Sequence, residues 1–270
     1  MKSYKQFITE SKTDIDSICK KYNIKNYIIN EDGSINVDGD VDFDRYNLIE
    51  LPLKFEKVTG VFDCDNNKLT SLKGAPKEVG GTFYCNRNKL TSLEGCPKKV
   101  GGDFYCSNNK LTSLEGGPET IIGDLNCDNN IINFRGIPEF FEGNFYCAFN
   151  ELTSLEGCPK KVKNFDCNDN LLNSLVGCPE EVGGYIDCRN NRIIDFRGIS
   201  EFFEGKFYCG GNPIYEIYSL FDEDVRCICL INEFDVIDGE KVILDRLEEV
   251  FHQLGMEIPQ NIRFRNYEIV

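Results

Sequence analysis

Tryptophan is absent from the 270 residues, histidine occurs once, at His252, and methionine only twice. A single imidazole excludes histidine-based metal sites and leaves few acid–base dyads to consider. No stretch approaches the roughly 20 apolar residues of a membrane helix. The opening segment, with only Phe7 and Ile8 as aliphatic or phenyl side chains after Met1, has no apolar core of the secretory kind. Basic residues are also scarce, 30 against 45 acids, which leaves a net charge of −15. An acidic surface repels nucleic acid and anionic membranes, so neither is expected as a partner. What the chain has instead is 41% hydrophobic residues, 24 glycines and 14 cysteines.

Eight of those cysteines are periodic. They stand at 64, 85, 106, 127, 147, 167, 188 and 209, spaced by 20 or 21 residues. An asparagine follows each by three positions, from Asn67 and Asn88 to Asn191 and Asn212. Two positions before each cysteine is an apolar residue (Phe62, Phe83, Phe104, Leu125, Phe145, Phe165, Ile186, Phe207), and five after it another (Leu69, Leu90, Leu111, Ile132, Leu152, Leu172, Ile193, Ile214). A Gly-x-Pro turn, as in Gly95-Cys96-Pro97, and a closing apolar residue such as Val100 complete most coils. Phe104 and Cys106 alternate with Asp103, Tyr105 and Ser107, the period of a short strand with one buried face. A period near 21 stacks strand on strand about 4.8 Å apart, so the phenylalanine, cysteine and leucine positions form one continuous core. Each asparagine marks a corner, where its amide can bond coil to coil. Gly-Gly pairs at 80–81, 101–102 and 183–184 precede the strands and are expected to turn the chain back.

Gly101-Gly102-Asp103-Phe104-Tyr105-Cys106-Ser107-Asn108-Asn109-Lys110-Leu111 resembles the leucine-rich repeat pattern L-x-x-L-x-L-x-x-N-x-L from its second leucine onward, with glycine and cysteine at the first and third leucine positions. Leu114 to Pro118 resembles the short bacterial type, and the resemblance covers roughly residues 58–217. It implies a leucine-rich-repeat solenoid, β-rich, with a parallel sheet on the concave face and little helix on the convex side. Val41, Phe43, Leu48 and Leu51 look like a degenerate earlier coil. The array is therefore placed at 41–217, about eight or nine coils.

Terminal coils need covers. Ile15, Ile18, Cys19 and Tyr22 follow helix spacing, and Tyr27–Ile29 and Ile35–Val37 flank an Asp32-Gly33 hairpin signal. Residues 11–40 are thus expected to form an N-terminal cap of helix plus hairpin. Val242, Leu244, Leu247, Val250, Phe251 and Leu254 predict a helix stopped by Gly255. Residues 218–270 are expected to be a C-terminal cap of helices and a last strand.

The ladder cysteines sit where the pattern needs small inward hydrophobes, so they are expected to be reduced core thiols in a reducing, cytoplasmic setting. No metal or cofactor is expected, since no C-x2-C pair exists and His252 is the sole imidazole. A cysteine-dependent enzyme in the C-terminal cap would have to be built from Cys227, Cys229 and His252. Cys227 and Cys229 are expected to face one side of that cap.

The outward strand positions are the candidate site. One residue before each ladder cysteine the column runs Asp63, Tyr84, Tyr105, Asn126, Tyr146, Asp166, Asp187, Tyr208, and Asp103, Asp124, Asp128, Tyr185 and Arg189 flank it, with Asp65, Asn144, Asn164, Asn168 and Lys206. Tyrosine is enriched at interfaces, and interleaved carboxylates favour a protein partner with a basic patch, or calcium. Tyrosine is also simply a good strand former on a solvated face. The expected function is non-enzymatic protein binding through this acidic, tyrosine-bearing face, by a chain whose oligomeric state the sequence leaves open.

A second resemblance concerns residues 1–10. Met1-Lys2-Ser3-Tyr4-Lys5-Gln6-Phe7-Ile8-Thr9-Glu10-Ser11 resembles the capsid-targeting leader of internal head proteins in T-even-like phages. That resemblance implies cleavage between Glu10 and Ser11, packaging in a virion and action on a host factor after injection. Internal head proteins of that type are basic, whereas this chain is acidic.

Overall fold

A computed structural model describes residues 4–129, 131–138, 141, 143–200, 202–203 and 205–270, with backbone alone at 4–12 and Phe202. The chain divides into two compact units, residues 1–146 and 147–270. Each is a parallel-sheet β-solenoid whose described strands are mostly of two residues.

In the first unit the cysteine-side strands stack in chain order: Val41–Asp42, Phe62–Asp63, Phe83–Tyr84, Phe104–Tyr105, Leu125–Asn126 and Phe145–Tyr146. Val41 pairs with Phe62 in register, and Phe43 is fully buried where later coils carry cysteine. A second parallel sheet, unforeseen from the period, runs through Phe55–Val58, Glu78–Val79, Lys99–Val100 and Thr120–Ile121. Its strands contain the closing apolar residues, because Val79, Val100 and Ile121 must be buried on the far side of the same narrow core. The hairpin Tyr27–Ile29/Ile35–Val37 extends this second sheet through Ile35–Val37, which runs parallel to Phe55–Val58. Helix α1, Tyr4–Lys21, runs through Glu10 and Ser11 without a break and buries Cys19.

In the second unit Phe165–Asp166, Ile186–Asp187 and Phe207–Tyr208 form the cysteine-side sheet. Lys161–Val162, Glu181–Val182 and Phe202–Phe203 form its second sheet. After the last coil come α2 (Tyr215–Tyr218), α3 (Arg226–Glu233) and α4 (Leu244–Leu254), the last ended by Gly255 at φ 69°. Val242 is not helical as expected; it pairs in strand Lys241–Val242 with Ile237–Asp238 and with Glu268–Ile269. Among the described residues no helix is long and apolar enough to cross a membrane.

The ladder positions hold their expected places with one correction. Ile131 is fully buried and Ile132 is half exposed, whereas the period puts Ile132 inside. The 127–147 coil is one residue short, and the three-residue step between consecutive inward positions is kept, as in Leu111 to Leu114, so Ile131 pairs with Phe134. The deletion falls at the corner, where a slip costs less than an emptied core position.

The glycine pairs lie at bends, as expected, and serve a second purpose as well. Gly80, Gly81, Gly101 and Gly102 lie outside the left-handed region. A Cβ on Gly101 would stand 2.3 Å from the carbonyl oxygen of Gly80 in the coil before it. These positions are glycine because neighbouring backbones approach too closely for any side chain.

Candidate functional site

The strand alternation that buries Phe104 and Cys106 leaves Tyr105 half-exposed, and the other described coils follow the pattern except that Asp187 is buried. Beneath that face the cysteines are free and buried. Burial, first among the causes, pushes the thiol pKa of Cys64, Cys85, Cys127, Cys167 and Cys188 well up, the wrong direction for a nucleophile. Their thiols instead donate to the following coil: Cys64 Sγ to the Tyr84 carbonyl at 3.1 Å, Cys147 Sγ to that of Asp166 at 3.3 Å.

Among the described residues the asparagine corner is a hydrogen-bonded ladder. Asn88 Nδ2 donates to the carbonyl of Cys64, one coil back, at 2.9 Å and to that of its own Cys85 at 3.3 Å. Its Oδ1 accepts the Leu69 N–H at 2.9 Å. Asn191 repeats the pattern in the second unit with Cys167, Cys188 and Leu172. One buried amide thus satisfies three backbone groups that the bend would leave without partners.

The outward face has two kinds of carboxylate. Asp103 and Asp124, three positions before their cysteines, accept the backbone N–H of the next coil, at 2.8 Å from Asp124 and 2.7 Å from Asn144. Asn164 does the same for Tyr185 at 2.8 Å. In the middle column Asp63, Asn126, Asp166 and Asp187 each accept the N–H two residues on, at 2.9 to 3.1 Å. The period reading gave these residues to a partner; each also closes local backbone, which the sequence signals only through the turn habit of aspartate and asparagine.

The tyrosines add ring surface to the same face. Tyr84 and Tyr105 stack at 5.1 Å between ring centroids, nearly parallel at 6°. Burial and the Asp103 and Asp124 carboxylates push the Tyr105 phenol up to about 12, so it is neutral at ordinary pH. Tyr185 meets Tyr208 edge-on at 6.2 Å. Tyr146 lies half-buried in the same column, and Asp128 half-buried beside Asn126, whose Nδ2 donates to it at 3.1 Å.

Charge is distributed unevenly between the two sheets. On the second sheet the carboxylates meet lysines, as in Lys57–Glu78 at 3.4 Å, Lys77–Glu56 at 3.0 Å and Lys161–Glu181 at 3.0 Å. On the cysteine-side face of the first unit, Asp63, Asp65, Asp103 and Asp124 make no ion pair among the described residues. Burial, above all, raises the Asp63 carboxyl and pushes Asp65 up to about 6. In the second unit Asp187 is buried and its carboxylate is held by Arg189, whose Nε lies 2.9 Å from Oδ1 and whose Nη2 lies 2.5 Å from Oδ2.

No family model matches the chain, and no curated protein matches it in sequence. What each unit's outward face can do follows from its own chemistry: half-buried phenol rings among carboxylates, on coils joined by hydrogen-bonded asparagine and thiol ladders.

The C-terminal residues are not brought together. Cys227 is fully buried on α3 with its thiol raised, first by burial, while Cys229 is exposed two residues on, so the two do not face one side. A two-residue step on a helix turns side chains about 200° apart, which is the reason. His252 is exposed on α4. Among the described residues no group of three or more histidine, cysteine or acidic side chains is placed to hold a metal ion. A cleft beside the last coil, lined by Lys206, Tyr208, Tyr218 and Glu223, was not legible beforehand. Its Glu223 carboxylate already accepts the Tyr215 hydroxyl at 2.8 Å, and Asp224 is bound by Arg226.

Proposed function

We propose that this protein is a non-enzymatic binding module, and that the outward face of the cysteine-side strands receives a protein partner bearing a basic patch. The stacked Tyr84–Tyr105 pair among carboxylates that lack ion pairs carries the reading. Rigid aromatic surface provides contact area at low entropic cost, and surrounding charge steers a cationic partner. The coils are proposed to be leucine-rich repeats with this face concave, on the strength of the cysteine–asparagine–leucine spacing and the asparagine ladder. No cofactor is assigned.

The test is affinity capture from the producing cell with the wild type and with Tyr105→Ser/Tyr146→Ser. The wild type is expected to retain a partner that the double variant loses, while stability changes by no more than about 1 kcal/mol, as for surface substitutions. Equal capture by both proteins rejects the face as the binding site.

A second reading concerns where the protein acts. The Met1–Ser11 resemblance supports packaging in a phage particle and action on a host factor. Met1, Lys2 and Ser3 lie outside the described residues, as do the side chains of Glu10 and Ser11. Mass spectrometry of the native N-terminus decides it: a start at Ser11 in particles is expected. An intact Met1 or Lys2 found only in soluble lysate rejects it and leaves a cytoplasmic module.

A further inference from the structure

The repeat lets one coil be compared with another in the same chain, and one comparison points to a ligand. In the second unit Asp187 and Tyr208 are register partners on adjacent strands. Arg189, two residues after Asp187, folds back over both. Its Nε and Nη2 engage the Asp187 carboxylate, and its guanidinium carbon lies 5.7 Å from the Tyr208 ring centre. An arginine here sits between a carboxylate in one coil and a ring in the next, the two features a guanidinium recognises best.

The first unit repeats this frame with the arginine missing. Asp63 and Tyr84 are register partners, as Asp187 and Tyr208 are. The position equivalent to Arg189 is Asp65, a second carboxylate. Tyr105 covers one face of the Tyr84 ring, and the other face is turned to the coil that carries Asp63. The chain's own cations do not fill the place. Arg45 pairs with Asp44 at 3.5 Å and is largely exposed, and Arg87 stands at a left-handed corner, with no ion pair to Asp63 or Asp65 among the described residues. The carboxylates keep capacity for a ligand. Asp63 Oδ1 accepts only the Asp65 N–H at 2.9 Å, and Asp65 accepts the Asn86 N–H at 2.5 Å and its Nδ2 at 3.0 Å.

We infer that Asp63, Asp65 and Tyr84 form a receptor for an arginine side chain of the protein partner, the guanidinium pairing with Asp63 and Asp65 and lying on the Tyr84 face opposite Tyr105. The inference rests on the protein-binding reading of this face and adds the chemistry of the contact. Lysine satisfies the charge but not the fork or the stack, so the receptor discriminates between the two cations.

The probe is N-acetyl-arginine amide, titrated into the full-length wild type and followed by NMR at the Tyr84 ring and the Asp63 and Asp65 carboxyl carbons. Those signals are expected to move in a saturable way, with binding roughly fivefold tighter than for N-acetyl-lysine amide. Asp65→Arg supplies the missing side chain from within and is expected to abolish the response at Tyr84. Conversely, Arg189→Ala is expected to open the equivalent place, so that Tyr208 also responds to the probe. Equal response to lysine amide, or none at Tyr84, overturns the inference. So does saturation of the same signals by calcium with no response to arginine amide. Should Tyr105→Ser/Tyr146→Ser lose the partner while Asp63→Asn and Asp65→Arg both retain it, the arginine receptor fails and the binding face stands.

Discussion

Phe149 is a bulky, exposed side chain on a left-handed backbone, at φ 54°. Most other coils put Asn66, Asn108, Asn129, Asp169 or Asn190 at that corner, residues that tolerate the conformation, and one puts Arg87 there. Phe149→Asn is expected to stabilise the protein by about 1 kcal/mol, read as a higher urea midpoint at unchanged slope. Asp65 makes a prediction with a sign. Its folded pKa of about 6 lies above the unfolded value near 4, so the native state takes up the proton first. The stability that this group contributes is complete below pH ~4 and is lost as pH rises through about 6. Asp65→Asn should therefore raise stability at pH 7 by about 1 kcal/mol, discounted for partial exposure, and flatten the dependence between pH 4 and 6. Thermal melts at a series of pH values check both. The outward tyrosines were legible in the sequence because strand alternation has period two. The proton affinity of Asp65 was not, since it comes from burial between stacked coils, which outweighs the opposing hydrogen bonds from Asn86.

A coil is held to its neighbours by side chains as much as by strands, because strands of two residues offer few ladder bonds. Asn109 accepts the Leu90 N–H at 3.1 Å and donates to the carbonyls of Cys85 and Cys106. Asn109→Ala leaves three backbone groups without that partner and is expected to cost about 2–4 kcal/mol by urea unfolding. Gly101→Ala places a methyl group 2.3 Å from the Gly80 carbonyl oxygen. Backbone has to move, and a loss of similar size is expected. The asparagine ladder was legible as a corner device from its three-residue offset to cysteine. The glycine pairs were legible as bends; their close approach to the preceding coil was not, because only the stacked coils reveal it.

For the chain taken entire, 14 cysteines are free, all but Cys158 and Cys229 buried. A thiol reagent under native conditions is expected to label Cys229 quickly, Cys158 more slowly, and the remainder only on unfolding. Rapid labelling of ladder positions would contradict a packed core. On the proposed binding reading, the net charge of −15 makes association with a basic partner dependent on ionic strength. Raising salt should slow association while changing dissociation little, which surface plasmon resonance separates.

The amino-acid sequence by itself determined the coil. A 20- or 21-residue period, an inward Phe–Cys–Leu set and a corner asparagine follow from local alternation and spacing, and they fix which residues lie inside and which face out. Tertiary structure decided what one coil means to the next. The second sheet, the shift from Ile132 to Ile131, the glycine contacts and the pairing of Asp63 with Tyr84 depend on stacking register between residues some 20 positions apart. Local propensity carries no information on that register, because the energy that sets it is the burial and hydrogen bonding of neighbouring coils against each other.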